Sequence, residues 1–404
     1  MLSTKEQLHI IQSGTYEIKP LSDLKKKLDR NKPLNIKLGV DPTSPDLHIG
    51  HAVPFRKLRQ FQDLGHNVTL IIGDGTACIG DPSGQNTTRP QLSHDEIMKN
   101  AQTYVDQAMK ILNEKRTNVR YNSEWIFGLD LAHLLQLLAK FTVARILERD
   151  DFHKRYTNQQ PIAVHEFLYP IMQAYDSVMI EADVEIGGSD QLFNLLAGRE
   201  LMEKMGMEPQ VTLTLPLLEG TDGVRKMSKS YGNYIGLTES PEEIFGKVMS
   251  VPDEIMVKYF RLATGLDVSE IDKIEAGLKD DSLHPNKIKR KLGREIVSAY
   301  HDENAAIAAE AHFDKVHKEH EIPDDVLEFS VELEEDADKG GVYLPNVLLA
   351  CKLANSGGEG RRLIDGGGLK VNGESVPSKT YHIPAKKLQG AVLKVGKRRF
   401  AKLV

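Results

Sequence analysis

Two pairs of residues in this chain have the types and spacing for phosphate chemistry. His48 and His51 flank Ile49 and Gly50 in "HIGH", and Lys226 and Lys229 bracket "KMSK" in a polar, glycine-containing loop, "TDGVRKMSKSYGNYIG". Side chains three apart share a helix face, and the first turn of a helix, with its unpaired N–H groups and positive dipole end, favours negative charge. Two lysines three apart on a loop form a movable pair of point charges, suited to a phosphate in transfer. Histidines at helix starts also serve as plain caps, and lysine pairs occur on any surface, so neither pair is decisive alone.

The surrounding pattern supplies a frame for them. "LNIKLGVD" alternates apolar and β-branched residues as a buried strand does, "HAVPFRKLRQFQDLG" repeats at helical spacing until Gly65, and "NVTLIIGDGTACIGDPSG" is a second strand ending in glycines and aspartate. Strand, helix, strand with glycine and Asp at the strand ends is how a parallel α/β sheet meets a ligand crevice. Pro54 lies within the helix and predicts a first-turn distortion or kink there. Residues 93 to 165 read as mostly helical, and "WIFGLDLAHLLQLLAKFTVARILERDDF" has a broader apolar face than one helix layer needs, which predicts packing on another subunit. "IGGSDQLFNLLAGRELMEKMG" reads as a glycine turn into a helix and "VTLTLPLLEG" as another buried strand, while 240 to 320 reads as helices. The acidic run "EIPDDVLEFSVELEEDADKGG" reads as a linker. After it come helices and hairpin signals such as "VNGE".

At 404 residues, two or three domains are expected. No apolar segment approaches a membrane span and the start resembles no leader, which predicts a cytoplasmic protein. Its two cysteines, Cys78 and Cys351, argue against a disulfide framework and a cysteine-based metal site. The net charge of −6 hides an asymmetry: residues 341–404 hold 12 Lys and Arg against 3 Asp and Glu, leaving 40 against 55 in the first 340. A basic end on an acidic body points to a polyanionic partner, with Arg361, Arg362, Lys397, Arg398 and Arg399 as candidate contacts.

"HIGH" after the first strand and "KMSKS" after the last resemble the paired signatures of class I aminoacyl-tRNA synthetases. The resemblance sharpens to the bacterial-type tyrosyl-tRNA synthetase family through "YPIMQAYD" (Tyr169, Gln173, Asp176), "IGDPSG" (Asp81) and "GGSDQ" (Gly188, Asp190, Gln191). The tail "RRLIDGGGLKVNGE" is similar to the small RNA-binding domain, named after a ribosomal small-subunit protein, that such enzymes carry. The resemblance implies an α/β fold, with a Rossmann-type parallel-sheet catalytic domain at 1–224 that includes a helical dimerisation insertion. An α-helical anticodon-binding domain with the lysine loop follows at 225–330, then a linker at 331–340 and a small α+β RNA-binding domain at 341–404.

It also implies a homodimer that binds ATP with Mg²⁺, L-tyrosine and tRNA(Tyr). In activation the tyrosine carboxylate attacks the α-phosphorus and pyrophosphate leaves, so positive charge and hydrogen-bond donors do most of the work. Thr43, His48, His51, Lys226 and Lys229 are the implied catalytic group; Gly39, Asp41, Gly50, Gly188, Asp190 and Lys229 are implied to bind ATP; no protein metal ligand is implied. Asp176 is implied to accept a hydrogen bond from the substrate phenol, Tyr169, Gln173 and Asp81 to hold the α-ammonium, and Gln191 to bind the tyrosine with them. One position departs from many relatives, which have tyrosine where "IKLGVDPT" has Lys37; Lys37 could pair with an acidic neighbour instead. A tryptophanyl synthetase would share both signatures but is usually shorter and lacks the basic tail. An RNA-binding protein on a dead scaffold is disfavoured by intact signatures, and a dinucleotide oxidoreductase by the lack of G-x-G-x-x-G after the first strand.

Overall fold

The computed structural model describes residues 1–42, 47–81, 94–317, 326–337, 340–396 and 399–404. Thr43, Lys397 and Arg398 lie outside the described residues. The chain divides into two compact units, Met1–Ala306 and Ile307–Val404.

The first unit is built on a six-stranded sheet of β1 (Glu17–Lys19), β2 (Asn35–Val40), β3 (Asn67–Ile72), β4 (Thr117–Tyr121), β5 (Val184–Gly188) and β6 (Val211–Leu215), in the order β1-β6-β5-β2-β3-β4. β2 to β6 are parallel, and β1 closes one edge antiparallel to β6. β5 and β6 are buried almost throughout, as strands covered on both faces must be. The chain winds from β2 through β3 to β4, then crosses back to place β5 on the other side of β2. Neighbouring β2 and β5 therefore send their connections to opposite sides, and the crevice that opens beyond their carboxyl ends is where parallel sheets bind ligands.

The Ile49–Asp63 helix follows β2 and runs on through Pro54, so the distortion predicted there does not end the helix. Proline supplies no N–H to the Gly50 carbonyl one turn back, and both residues face the crevice. The 93–165 stretch, read as mostly helical, also contributes β4 from "TNVRY". β4 pairs with β3 from Val68–Thr117 to Ile72–Tyr121 and so delivers Asn122 and Trp125 to the sheet's carboxyl edge. The Leu168–Met179 helix carries Tyr169, Gln173 and Asp176 on its buried side. Between Trp125 and Leu147 the apolar surplus is left partly uncovered: Phe127, Leu131, Leu135 and Val143 are exposed.

In the second unit the acidic run read as a linker contributes two short strands, β7 (Glu328–Phe329) and β8 (Glu335–Asp336). The remaining strands are β9 (Gly341–Tyr343), β10 (Leu369–Val371), β11 (Glu374–Ser375), β12 (His382–Ile383), β13 (Val392–Val395) and β14 (Arg399–Leu403). They form sheets of order β11-β10-β13-β14-β7 and β12-β9-β8, packed with the Leu344–Ala350 and Gly357–Asp365 helices over Leu348, Ile364, Leu369 and Leu393. The "VNGE" hairpin forms as read, with Val371 opposite Glu374 and positive φ at Asn372 (49°) and Gly373 (87°), the backbone an Asn-Gly turn requires. No helix among the described residues is long and apolar enough to cross a membrane.

Candidate active site

The crevice holds a cavity of about 300 Å³ beyond the ends of β2 and β5. Gly39 and Asp41 from β2 and its exit, Gly50 and His51 from the following helix, and Asp81 line it. So do Tyr169, Gln173 and Asp176 from the Leu168–Met179 helix, and Gly188 and Gln191 from the end of β5. Residues selected from five separate stretches of sequence thus face one space. A Cβ added at Gly39 would meet nothing within 4 Å, so the missing side chain is itself part of the cavity.

At its floor Asp176 is buried, with 3% of its surface exposed. Trp125 Nε1–H donates to one carboxylate oxygen at 2.8 Å and Asn122 Nδ2 to the other at 3.3 Å. Burial pushes this carboxyl up to about 6, against the opposing pull of the Lys37 ammonium and the two hydrogen bonds. Asn122 is fully buried and also accepts from the Gly75 N–H at 2.8 Å, tying β4 to the turn after β3. Neither Asn122 nor Trp125 stood out in the sequence; the signal available for Trp125 was that it is the chain's single tryptophan.

Lys37, which stands where many relatives have tyrosine, does pair with an acidic neighbour. Its Nζ, completely buried, lies 2.8 Å from Glu185 Oε1, from the Gln173 carbonyl and from Ser177 Oγ. Higher in the cavity Asp41 accepts from Tyr169 Oη and Thr76 Oγ1, each at 2.9 Å. Burial raises its carboxyl to about 7, and the negative charge of Asp81 adds to the shift. Asp81 in turn accepts from Arg149 Nη2 at 3.0 Å and from Gln191 Nε2 at 3.2 Å. Gly73 makes room for this arrangement, since a Cβ there would stand 2.0 Å from Asp41 Oδ1.

The two histidines stack at the cavity's mouth with ring centroids 3.7 Å apart and planes 17° from parallel. Burial depresses His48 to about 3, helped by His51 and the two loop lysines. His51 is more open to solvent, but the protein packed around it, with Lys226 and Lys229, lowers it to about 4. Both rings are therefore neutral at pH 7. His51 Nδ1 faces the His48 backbone N–H at 3.4 Å, which places the His51 ring proton on Nε2 as a donor. His48 Nδ1 is buried and has no hydrogen-bond partner among the described residues.

The lysine loop is held at both ends. Met227 is buried and its N–H bonds the Leu218 carbonyl, while Asn233 Oδ1 takes the Ser228 N–H at 2.9 Å. Ile235 and Leu237 exchange backbone hydrogen bonds with Ile49 and Leu47, tying the loop's exit to the histidine segment. Lys226 is exposed, with Nζ 3.9 Å from Asp190, and Lys229 is exposed beyond it. A second cavity of about 90 Å³ shares Gly50, His51, Pro54 and Gly188 with the first and adds His48, Leu217 and Met227. In the second unit Arg361 and Arg362 are exposed on the Gly357–Asp365 helix, whereas Arg399 is partly engaged, donating to the Leu353 carbonyl at 2.8 Å.

The family model described as tRNA synthetases class I (W and Y) matches residues 29–318. A tyrosine–tRNA ligase of Geobacter sulfurreducens is 48% identical over 406 residues, covering 100% of this chain and 99% of the relative. One of Moorella thermoacetica is 49% identical over 401 residues, covering 98% and 95%. Among solved structures, the C-terminally truncated Aspergillus nidulans mitochondrial tyrosyl-tRNA synthetase superposes with a TM-score of 0.65 at 25% identity, over 78% of this chain and 94% of that one. The Archaeoglobus fulgidus tyrosyl-tRNA synthetase, complexed with L-tyrosine, gives 0.63 at 23% identity over 76% and 100%, a likeness of fold.

The burial of Asp176 predicts a pH signature. A carboxyl whose folded-state value is raised to about 6 binds its proton more tightly in the folded than in the unfolded chain. Its contribution to stability is therefore full below about pH 4 and is lost as pH rises through 6. The Asp176→Asn variant has no such proton. Its stability relative to the parent should improve between pH 4 and pH 7.5 by on the order of 2–3 kcal/mol, read by denaturant unfolding. A constant difference across that range would refute the raised value.

Proposed function

The chain belongs to the tRNA synthetases of class I (W and Y), and from that membership and its tyrosine–tRNA ligase relatives we infer that it is a tyrosine–tRNA ligase. It activates L-tyrosine with ATP to tyrosyl-adenylate and pyrophosphate, then passes the tyrosyl group to the 3′ end of tRNA(Tyr). The observation that carries this reading is the buried Asp176 at the floor of a cavity whose mouth bears two stacked imidazoles under the charge of Lys226 and Lys229.

A carboxylate held by Trp125 and Asn122, with lone pairs still turned to a cavity, accepts a substrate phenol O–H. Phenylalanine would leave that acceptor desolvated and unpaired, which disfavours it strongly. Tyr169, Gln173 and Asp81 are the acceptors for the α-ammonium, with Gln191 bracing Asp81. The tyrosine carboxylate is then directed toward the histidine end, where ATP lies over Gly50 and Gly188 at the end of β5.

There the labour divides. His48 and His51, being neutral, contribute N–H donors rather than charge, and Lys226 and Lys229 contribute the positive charge that builds on the phosphate oxygens as pyrophosphate leaves. Thr43 belongs to the same group by its place in "DPTSPDLHIGH". Asp190 can take only donors from the nucleotide, its ribose hydroxyls or the adenine amino group, and Asp41 meets the nucleotide as the partner of Tyr169. Leu217 and Met227 give the smaller cavity an apolar wall suited to the base. Mg²⁺ enters with ATP as part of the substrate, as an ion that keeps most of its water and binds through phosphates does. Among the described residues no group of three or more His, Cys, Asp or Glu side chains is placed to hold an ion. By the same reading the enzyme acts in the cytoplasm.

Three proposals lie outside the crevice. The exposed apolar residues between Phe127 and Val143 form the two-fold face of a homodimer; their exposure, 70% for Leu131 and 57% for Leu135, is more than an isolated surface needs. Arg361, Arg362 and the basic positions around Arg399 in the 341–404 domain bind tRNA phosphates, and the helical segment within 225–330 approaches the anticodon.

Tyrosine-dependent pyrophosphate exchange tests the catalytic roles. His48→Ala and Lys229→Ala should each slow exchange by about 2–4 kcal/mol of activation free energy while tyrosine affinity barely moves. Exchange at the parent rate, or exchange with tryptophan in place of tyrosine, would overturn the assignment. Sedimentation should find the parent dimeric at micromolar concentration and the Leu131→Asp, Leu135→Asp double variant monomeric; a monomeric parent counts against the dimer face. Arg361→Glu with Arg362→Glu should leave exchange intact, raise the KM for tRNA and lower the slope of log affinity against log salt by up to about 2. An unchanged slope would remove these arginines from the RNA surface.

A further inference from the structure

Beneath the cavity floor lies a closed network that no step above uses. The three protons of the Lys37 ammonium go to three acceptors, the Gln173 carbonyl, Ser177 Oγ and Glu185 Oε1, each at 2.8 Å. Glu185 Oε1 also takes Gln173 Nε2 at 3.2 Å, and Glu185 Oε2 takes Ser177 Oγ at 3.2 Å and a short hydrogen bond from Gln210 Nε2. Lys37, Glu185, Ser177 and Gln210 are all at most 1% exposed. Gly198 is required beside them, because a Cβ there would stand 2.5 Å from Gln210 Nε2 and 3.2 Å from Glu185 Oε2. Gln210 Oε1 is buried without a partner among the described residues, but the polar groups of Lys37, Ser177 and Glu185 are all engaged, and buried hydrogen bonds of this kind fix the orientation of the groups that make them.

One member reaches the cavity. Gln173 lines it, and an amide has two chemically opposite ends, a carbonyl that accepts and an NH₂ that donates. A carboxylate can only accept, so the end turned to Glu185 must be the NH₂. The carbonyl Oε1 is left without a partner among the described residues. An acceptor suits an ammonium; a donor would repel it.

We propose that the buried Lys37–Glu185 pair is a positioning device that holds the Gln173 amide with its carbonyl oxygen available to the substrate's α-ammonium, so that this pair selects for the amine of the amino acid. The proposal rests on the reading that Gln173 meets the ammonium. Lys37 fixes Glu185 and the helix backbone at Gln173; Glu185 fixes the amide. Neither touches substrate. Without the carboxylate the amide is free to turn, and the orientation that presents its NH₂ to the cavity becomes as accessible as the other.

Calorimetric titration of the full-length chain with three probes tests it. L-tyrosine and tyramine carry the ammonium, and 3-(4-hydroxyphenyl)propionate keeps the phenol without it. The double variant Lys37→Met with Glu185→Leu removes the pair without leaving a lone buried charge. It should bind L-tyrosine and tyramine about tenfold more weakly, the effect of losing one hydrogen bond to a charged group, and bind the propionate within about twofold of the parent. Equal loss for all three probes would mark the pair as merely structural, and no loss would remove it from recognition; either result overturns the proposal. Gln173→Ala separates the layers. If it shows no amine-selective loss, the assignment of Gln173 to the ammonium fails; if it does and the double variant does not, only the positioning role fails. Should the double variant not fold, the parent suffices: the Gln173 side-chain NH₂ signal in the ¹⁵N spectrum, identified by its loss in Gln173→Ala, should exchange slowly with solvent and be little moved by tyramine. Rapid exchange would show the NH₂ turned to the cavity and the proposal wrong.

Discussion

A carboxylate taken out of water must be surrounded by donors, and that constraint organises this catalytic unit. Asp176, Asp41, Asp81 and Glu185 cluster about one cavity, and each is met by donors from a different part of the chain. Trp125 and Asn122 come from the end of β4, Tyr169 from the Leu168–Met179 helix, Arg149 from the helical insertion, and Lys37 from β2. Removing the Trp125 donor, for one, would leave a buried oxygen of Asp176 unsatisfied, at a cost of about 1–3 kcal/mol or more for a charged group. The elements are thereby locked to one another through the groups that face the substrate. Residual desolvation shows in Asp176 and Asp41, both held well above the ordinary carboxylate range.

At the other end of the crevice the logic is reversed. The histidines are neutral because they are crowded by protein and by two lysine charges, so positive charge at this end is carried on the loop, while the rings at the helix start offer directional hydrogen bonds. The loop is anchored by Met227 and Asn233 but leaves its lysines exposed. Charge that is solvated and movable costs little before substrate arrives, whereas donors that must be aimed are built into a helix packed on the sheet.

The sheet order joins these two ends. Because β5 returns to the far side of β2, the glycine turn "GGSDQ" and the segment "GVDP" follow the carboxyl ends of neighbouring parallel strands and line the same cavity. Gly39 and Gly188 then line an opening that larger side chains would fill.

By itself the sequence determined the local pieces: the strand, helix and strand that begin the sheet, the Asn-Gly hairpin, and the two signatures with their spacing, while the family resemblance pointed to the three residues of the Leu168–Met179 helix that line the cavity. These are legible because they depend on periodicity, turn chemistry or short motifs, all properties of neighbours in the chain. Short strands such as β4 and β7 were not legible, since a strand of two to five residues is defined by its partner rather than by its own pattern. Only the tertiary structure decided that Trp125 and Asn122 hold Asp176, 51 and 54 residues away, that Lys37 lies against Glu185, and that the histidines are neutral. Such contacts and shifts arise from burial and from distant groups brought together by sheet order, and no local pattern in the chain records which distant carboxylate a buried lysine or indole will meet.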